Sequence, residues 1–263
     1  MKIRIACIQM AAGDHFDRNL HQAIVLAHEA HHKGAELIAY PEMFLYRGSA
    51  TRYPNVLNET EAVLHKFQHI ACFSRVPILM GSVLERSKSS GRYYNTSIFI
   101  SEKGQLAARY RKIHLFDVKT PGKKKVEESK YFLPGKTLSV ASLLGIQFGL
   151  GICFDLRFPE QFRALSKKGA EIIFLPSNFL EETGKAHWHA LLRARAIENQ
   201  VFVVAPAQVG RNPKTGIKSY GHSLIVDPWG KIIAEGSGNK SEIVIADIDT
   251  AVVAQLRKNF PVI

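Results

Sequence analysis

The chain has 263 residues, of which 46% are hydrophobic, 10% aromatic and 22% charged, a composition that excludes a wholly disordered or fibrous protein. Lysine and arginine outnumber aspartate and glutamate by 35 to 23, a formal net charge of +12. The basic residues are scattered, with one dense cluster at Lys123-Lys124-Lys125 and neither zinc-finger spacing nor an aromatic RNA-binding stripe, so no nucleic acid is expected as a partner.

The opening residues, MKIRIACIQM, alternate like a strand and lack the apolar core and small-residue cleavage site of a signal peptide. No apolar run reaches the roughly 18 residues of a membrane span. The expected location is therefore the cytoplasm, with no membrane partner. Three cysteines in a reducing compartment are filler or chemistry rather than a disulfide framework. Cys7 and Cys72 read as core residues on a strand and a helix.

A helical stretch follows at about 17–33, then GAELIAYPEMF (34–44), a strand that exits at Pro41-Glu42. A second helix is expected over 58–74, a buried strand at PILMGSV (77–83), and a hairpin over 97–108 with Lys-Gly at its turn. After RKIHLF (111–116) and VEESKYFLPG (126–135), the order of elements begins again. The strand IQFGLGICF runs to Phe154, a helix covers 159–168, and GAEIIFLPSNF (169–179) exits at Pro176-Ser177-Asn178. A helix over 184–199, the buried strand VFVVAPAQV and a hairpin over 223–234 with Trp-Gly at its turn complete the second half.

The two GAE segments are identical at six of eleven positions, and SIFISEKGQLAA (97–108) is echoed by SLIVDPWGKIIA (223–234). Alternating strands and helices favour a sheet covered by helices. Two such halves, with no linker between them, predict an α/β fold of four layers, αββα, with an internal pseudo-two-fold repeat in one domain over residues 1–263. A (β/α)₈ barrel would need eight similar units, and fewer are present. Ligands in α/β sheets collect beyond the carboxyl ends of strands, so the strand exits are the places to look for chemistry.

Cys153 lies at one such exit, in GLGICFDLRFPE, with Gly149 and Gly151 making room for close packing. A strand-to-helix elbow aims backbone N–H groups at one spot and favours a thiolate. Glu42, held partly out of water at the first GAE exit, can take a thiol proton near neutrality. Lys112 beside a nucleophile would favour thiolate and stabilise an oxyanion. His114 is the histidine best placed for a Cys–His pair. His187 and His189, at i and i+2 on a helix, do not share a face and make no metal site without further ligands. By residue type alone, Cys153 reads equally as a buried structural thiol, Glu42 as a loop carboxylate and Lys112 as a surface lysine.

Together, PEMF (41–44), RKIHLF and GICFDLRFPE (151–160) resemble the nitrilase superfamily of carbon–nitrogen hydrolases, with a Glu, a Lys and a Cys in that family's order. The likeness extends through AHWHALLRARAIENQ (186–200) and YGHSLIVDPWGKIIA (220–234), nearly the whole chain, and is strongest to the branch of ω-amidases and deaminated glutathione amidases. The resemblance implies the αββα sandwich, Glu42 as general base, Lys112 as oxyanion stabiliser and Cys153 as nucleophile. It assigns a second glutamate to Glu128, with Glu127 one step away, and the backbone N–H of Phe154 to the oxyanion hole. Ser177 and Asn178 are candidate substrate contacts. Neither metal nor organic cofactor is implied. Asp155, Arg157 and Glu160 are expected to fix the elbow, Arg193, Arg195 and Glu198 to pair on their helix, and Trp188 and Trp229 to pack. The implied substrate is a small amide, in this branch an α-keto-acid anion, for which Arg47 and Lys123–Lys125 are candidate contacts. A nitrile, an N-carbamoyl amino acid, or basic binding without catalysis are the alternatives. A homodimer or higher assembly, with AVVAQLRKNFPVI (251–263) a candidate participant, is the expected state.

Overall fold

A computed structural model describes residues 1–88, 90–119, 126–212 and 216–263. The period-two pattern of strand β1 (Lys2–Gln9) sends Ile3, Ile5 and Cys7 into one core and Ala6 and Ile8 into another. Both faces of the strand are therefore buried, as expected for a sheet packed on each side.

Helix α1 (Phe16–His32) buries Phe16, Leu20, Ala23, Ala27 and Ala30, a stripe at helical spacing. Strand β2 (Leu37–Ala39) follows, then helix α2 (Tyr53–Ser74), which buries Val56, Thr60, Val63, Phe67 and Ala71. This helix starts five residues before the expected 58, with Pro54 in its first turn, where a missing N–H costs nothing. The same stripe corrects the reading of Cys72, which is exposed: its neighbour Ala71 takes the buried position, and Cys72 is turned about 100° away from it.

Strands β3 (Ile78–Arg86), β4 (Tyr93–Ile100) and β5 (Leu106–Arg111) complete the first half. The short strands β6 (Asp117–Val118) and β7 (Val126–Glu127) pair with each other. The second half contains β8 (Ser139–Leu143), β9 (Ile146–Leu150), helix α3 (Pro159–Lys167), β10 (Ile172–Phe174), helix α4 (Glu181–Asn199) and β11 (Phe202–Ala205). The antiparallel pair β12 (Val209–Arg211) and β13 (Lys218–Tyr220) precedes the hairpin β14 (Leu224–Val226) and β15 (Ile232–Glu235). Strand β16 (Glu242–Asp249) and helix α5 (Ala251–Asn259) end the chain.

The strands form two six-stranded sheets, ordered β16-β1-β2-β3-β4-β5 and β15-β14-β11-β10-β9-β8. In each, three strands run parallel (β1, β2, β3; β9, β10, β11) and two antiparallel strands extend the last of them. The internal echo is thus a repeat of topology. One detail escapes the echo. In the second half the outer strand β8 directly precedes β9, whereas the matching partner of β1 is β16, from the far end of the chain.

The inner faces of the sheets meet in one core, where Phe99 of the first sheet packs against Phe148 and Phe174 of the second at 5.4 and 5.9 Å between ring centroids. Helices α1 and α2 cover the outer face of the first sheet, and Phe162, Leu165, Trp188, Leu192 and Ala196 of α3 and α4 cover the second. The layers are helix, sheet, sheet, helix. Trp188 is core, as expected. Trp229 is not: at the β14–β15 turn it is 70% exposed, with its ring edge-on to that of the exposed Phe260.

One close approach sets the path into the site. A Cβ on Gly81, in the bulge of β3 between Met80 and Val83, would stand 1.9 Å from the carbonyl oxygen of Tyr40 and 2.3 Å from that of Pro41. We expect Gly81→Ala to cost about 1–3 kcal/mol in urea unfolding, by forcing the segment before Glu42 aside. Unchanged stability in this variant would show that the segment before Glu42 moves aside freely.

Candidate active site

The carboxyl ends of the parallel strands from both sheets meet at one place. Glu42 follows β2, Cys153 follows β9, Ser177 and Asn178 follow β10, and Gln208 follows β11. Backbone bonds join these exits: Cys153 N–H donates to Pro176 O at 3.0 Å and Ser177 N–H to Pro206 O at 2.8 Å. Gln208, fully buried, donates from Nε2 to the Glu42 carbonyl at 2.9 Å.

Glu42, Lys112 and Cys153, 5%, 2% and 7% exposed, converge here. Lys112 follows the edge strand β5 and is tied down by backbone bonds to Asn95 and Gly135. Its Nζ donates to Glu42 Oε1 and Glu128 Oε2, each at 2.8 Å. An ammonium has three donors, so two bind carboxylates and one is left over. Glu128 accepts two further hydrogen bonds, from Asn95 Nδ2 at 3.1 Å and the Phe116 N–H at 2.7 Å, so both of its oxygens are engaged. Glu127 is exposed. The geometry therefore puts Glu128, the residue favoured from sequence, beside Lys112. Asn95 Nδ2 also donates to Glu42 Oε1 at 2.9 Å, so Oε1 carries two bonds and Oε2 is the oxygen left for the thiol.

Cys153 opens a 3₁₀ turn (Cys153–Arg157) and has φ +47°, in the left-handed region. Such strain persists only where the surroundings over-determine it. Here Asp155, fully buried, accepts from the Ile152 N–H at 2.8 Å, Tyr110 Oη at 2.6 Å and the His114 N–H at 3.1 Å. The first bond of the turn runs from the Asp155 N–H to the Ile152 carbonyl. The Phe154 N–H, one residue earlier and next in the chain after Cys153, precedes the first intrahelical bond of the turn and has no partner within it. A Cβ on Gly149 or Gly151 would stand 3.1 Å from Ile173 or 3.2 Å from Leu175, so both glycines serve close packing.

The thiol faces the Glu42 carboxylate, the Lys112 ammonium and the backbone N–H of Asn178. Burial, reinforced by Glu42, pushes its pKa well above the usual thiol range, and Lys112 and the Asn178 N–H offset this only in part. Lys112 does not on its own tip the balance to thiolate: two carboxylates and one ammonium already make the cluster net negative, and a thiolate would add to it, which agrees with Glu42 as the group expected to take the thiol proton. For Lys112, burial works against the ammonium, but Glu128 and Glu42 outweigh it and hold the pKa well above the usual lysine range.

Other expectations resolve differently. His114 is not paired with Cys153; its Nδ1 is 2.7 Å from Asp155 Oδ1 and its ring stacks on Phe158 at 3.5 Å. Asp155 fixes the elbow, but Arg157 does so only from outside, over the rings of Phe154 and Phe179, and Glu160 is exposed. Arg195 pairs with Glu198 at 2.9 Å, whereas Arg193 donates to the Gly230 carbonyl. The Ser177 hydroxyl is fully buried and donates to the Leu175 carbonyl at 2.9 Å. Lys123–Lys125 lie outside the described residues.

Arg47 enters the site as more than a surface cation. Its guanidinium donates to Ser219 Oγ at 2.8 Å and, at 3.4 Å, to the Ala12 carbonyl and Gln208 Oε1. Ser219 in turn donates to Asn178 Oδ1 at 2.7 Å. Among the described residues no carboxylate pairs with Arg47. Burial lowers its pKa to about 10, with Glu42 opposing from a distance. Asn95 and Gln208 were not singled out from sequence. Their only signal is an amide inside an otherwise apolar or aromatic strand segment, which is also how a structural amide looks.

The family model described as carbon–nitrogen hydrolase matches residues 4–258. Omega-amidase NIT2 of Xenopus tropicalis is 36% identical over 262 residues, covering 99% of this chain and 94% of the relative. The deaminated glutathione amidase of Synechocystis sp. is 38% identical over 261 residues, covering 97% and 95%. Among solved structures, the NitFhit protein of C. elegans superposes with a TM-score of 0.92 at 35% identity, over 99% of this chain and 64% of that longer one. A mutant amidase from Nesterenkonia sp. AN1, with the acetamide moiety of fluoroacetamide added covalently at its active-site cysteine, superposes at 0.82 and 25% identity over 98% of this chain and 96% of that one.

Proposed function

The chain belongs to the carbon–nitrogen hydrolase family, and from that premise we propose how it works as a cysteine-dependent amidase on a small, anionic amide, with residues 1–263 acting as one domain. The observation that carries the reading is the buried contact of Lys112 with Glu42 and Glu128 beside the Cys153 thiol. The thiol rests protonated, so its proton leaves as attack begins. Glu42 Oε2 accepts that proton, and sulfur attacks the amide carbonyl. The oxyanion forms between the Phe154 N–H and the third donor of Lys112, two fixed donors in a site shielded from water. Glu42 then gives its proton to the departing nitrogen, and ammonia leaves a thioester on Cys153. Water, deprotonated by Glu42, attacks the thioester; as the C–S bond breaks and the acid leaves, Glu42 returns that proton to the Cys153 sulfur, so one hard displacement becomes two easier ones. Glu128, with its oxygens already bonded, holds Lys112 in place rather than moving protons.

The substrate class follows from Arg47. A half-buried guanidinium held by neutral oxygens is under-compensated, and a substrate carboxylate is the partner that offsets the cost. Half-amides of keto dicarboxylic acids, such as α-ketoglutaramate, place a carboxylate a few bonds from the amide. The names of the Xenopus and Synechocystis relatives point to the same class. Arg47→Gln should raise KM for α-ketoglutaramate by about 10–100-fold, the value of one charge-assisted contact, and leave a neutral aliphatic amide unaffected. Ammonia release across keto-acid amides, neutral amides, N-carbamoyl amino acids and nitriles is the test. Turnover of neutral amides as fast as keto-acid amides would remove the anionic assignment.

All three cysteines are free, which suits a reducing, cytoplasmic setting. No helix among the described residues is long and apolar enough to cross a membrane. The exposed Trp229, Phe260, Val262 and Ile263 form the apolar surface on which we expect the chain to pair with a second copy.

A further inference from the structure

His189, set aside in the sequence for want of further ligands, has two in the fold. His189 lies on α4, His222 on the segment between β13 and β14, and Glu235 at the end of β15. Glu235 Oε1 is 2.9 Å from His189 Nε2 and 2.8 Å from His222 Nδ1, and the three atoms lie within 4.8 Å of one another. None of the three side chains is hydrogen-bonded to Glu42, Lys112, Glu128 or Cys153. We propose that they form a second site, separate from catalysis, that binds a divalent transition metal of the zinc type.

Three features carry the assignment. The first is donor chemistry. Two imidazoles and one carboxylate suit zinc and its neighbours, whereas calcium and magnesium prefer all-oxygen sets. Ligand atoms about 2.0–2.2 Å from a tetrahedral zinc stand roughly 3.3–3.6 Å apart, so small side-chain rotations convert the shared hydrogen bonds into coordination. The second is charge. Among the described residues Glu235 is paired with no lysine or arginine, only with the two histidines. With both imidazoles neutral the cluster carries one unbalanced negative charge, which a dication neutralises.

The third is preorganisation. His222 is held at φ +53°, in the left-handed region. Its carbonyl accepts from Trp188 Nε1 at 2.8 Å, and its ring lies 4.4 Å from that of Tyr220. A Cβ on Gly238 would stand 2.6 Å from its Nε2, so the packing leaves Nδ1 directed at Glu235. All three residues are partly exposed, so water or another ligand can complete the coordination. The segment carrying His222 directly follows β13, whose Ser219 contacts Arg47 and Asn178. A bound metal therefore braces one wall of the catalytic pocket without entering the reaction.

The test uses the full chain, stripped with chelator, in the Cys153→Ala background so that the reactive thiol cannot bind metal. Calorimetric titration with Zn²⁺ at pH 7.5 should give one site, with protons released as binding proceeds and weaker binding at pH 6, where imidazole protonation competes. Co²⁺ should give the visible spectrum of a nitrogen and oxygen site, without a thiolate charge-transfer band. His189→Gln and Glu235→Gln, which keep side-chain bulk, should each weaken Zn²⁺ binding by at least about tenfold. In the Cys153-containing enzyme the same two variants should keep their metal-free melting temperature and amidase activity. Absence of one-to-one binding, binding unchanged in both variants, or a thiolate band would overturn the site and leave a His–Glu–His hydrogen-bond network. If the variants lose fold as well as binding, a zinc-dependent rise in the melting temperature of the Cys153→Ala protein decides: its presence supports the site and its absence overturns it.

Discussion

Cys153→Ala should lower kcat by about 10⁴-fold or more, the scale on which nucleophile removal acts in hydrolases that use a covalent intermediate. The fold should survive. The thiol is 7% exposed, its partner Glu42 keeps Lys112 and Asn95 as donors when the sulfur is removed, and alanine meets the same backbone strain at φ +47°. Stability should change by no more than about 1 kcal/mol in urea unfolding. Ammonia release from α-ketoglutaramate by the folded variant at the wild-type rate would remove Cys153 from the mechanism. Replacement of Cys7, buried between the sheets, should instead affect packing and leave kcat within a few-fold.

Lys112→Met should produce the largest loss of stability of any single change in the site, about 3–5 kcal/mol, because it leaves two buried carboxylates facing each other. Activity should fall with it, by at least the 10²–10³-fold that one oxyanion donor supplies. The stability deficit should be smaller in mildly acidic buffer than at neutral pH, since protonating either carboxylate relieves the repulsion. Adding Glu128→Gln to Lys112→Met should restore part of the stability and none of the activity. That split separates the structural use of the ammonium from its chemical one. A Lys112→Met enzyme of wild-type stability would mean that Glu42 and Glu128 do not share it.

Most of this architecture is legible before any coordinates. The GAE repeat gives the two sheets their corresponding strands β2 and β10, whose exits hold Glu42 and Asn178, and the strand before the second GAE segment exits at Cys153, because hydrophobic periodicity and a strand-ending proline are local properties. What sequence misses is non-local. The pairing of β1 with β16 joins residues about 240 apart, and no local pattern encodes it. Asn95 and Gln208 look like ordinary amides until the carboxylate and the carbonyl they serve come within reach. Cys72 and Trp229 show the limit of composition: an apolar residue type does not say which way it points, and both face outward. That Glu42 and Glu128 share the Lys112 ammonium beside the thiol is likewise a property of the fold, with no local sequence pattern behind it. The sequence names Arg47 as a candidate contact for an anionic substrate, but not for the company it keeps. Its lack of a carboxylate partner is a property of the fold and gives it meaning.

Rapid acid quench during turnover of α-ketoglutaramate, followed by peptide mass analysis, tests most directly whether sulfur at the β9 exit carries the acyl group. The peptide containing Cys153 should gain the mass of the keto-acyl residue, in an amount that decays as substrate runs out, while the peptides of Cys7 and the more accessible Cys72 stay unmodified. An acyl group found on Cys72 or Cys7, or full turnover with no adduct on any cysteine, would contradict the assignment of Cys153 as nucleophile.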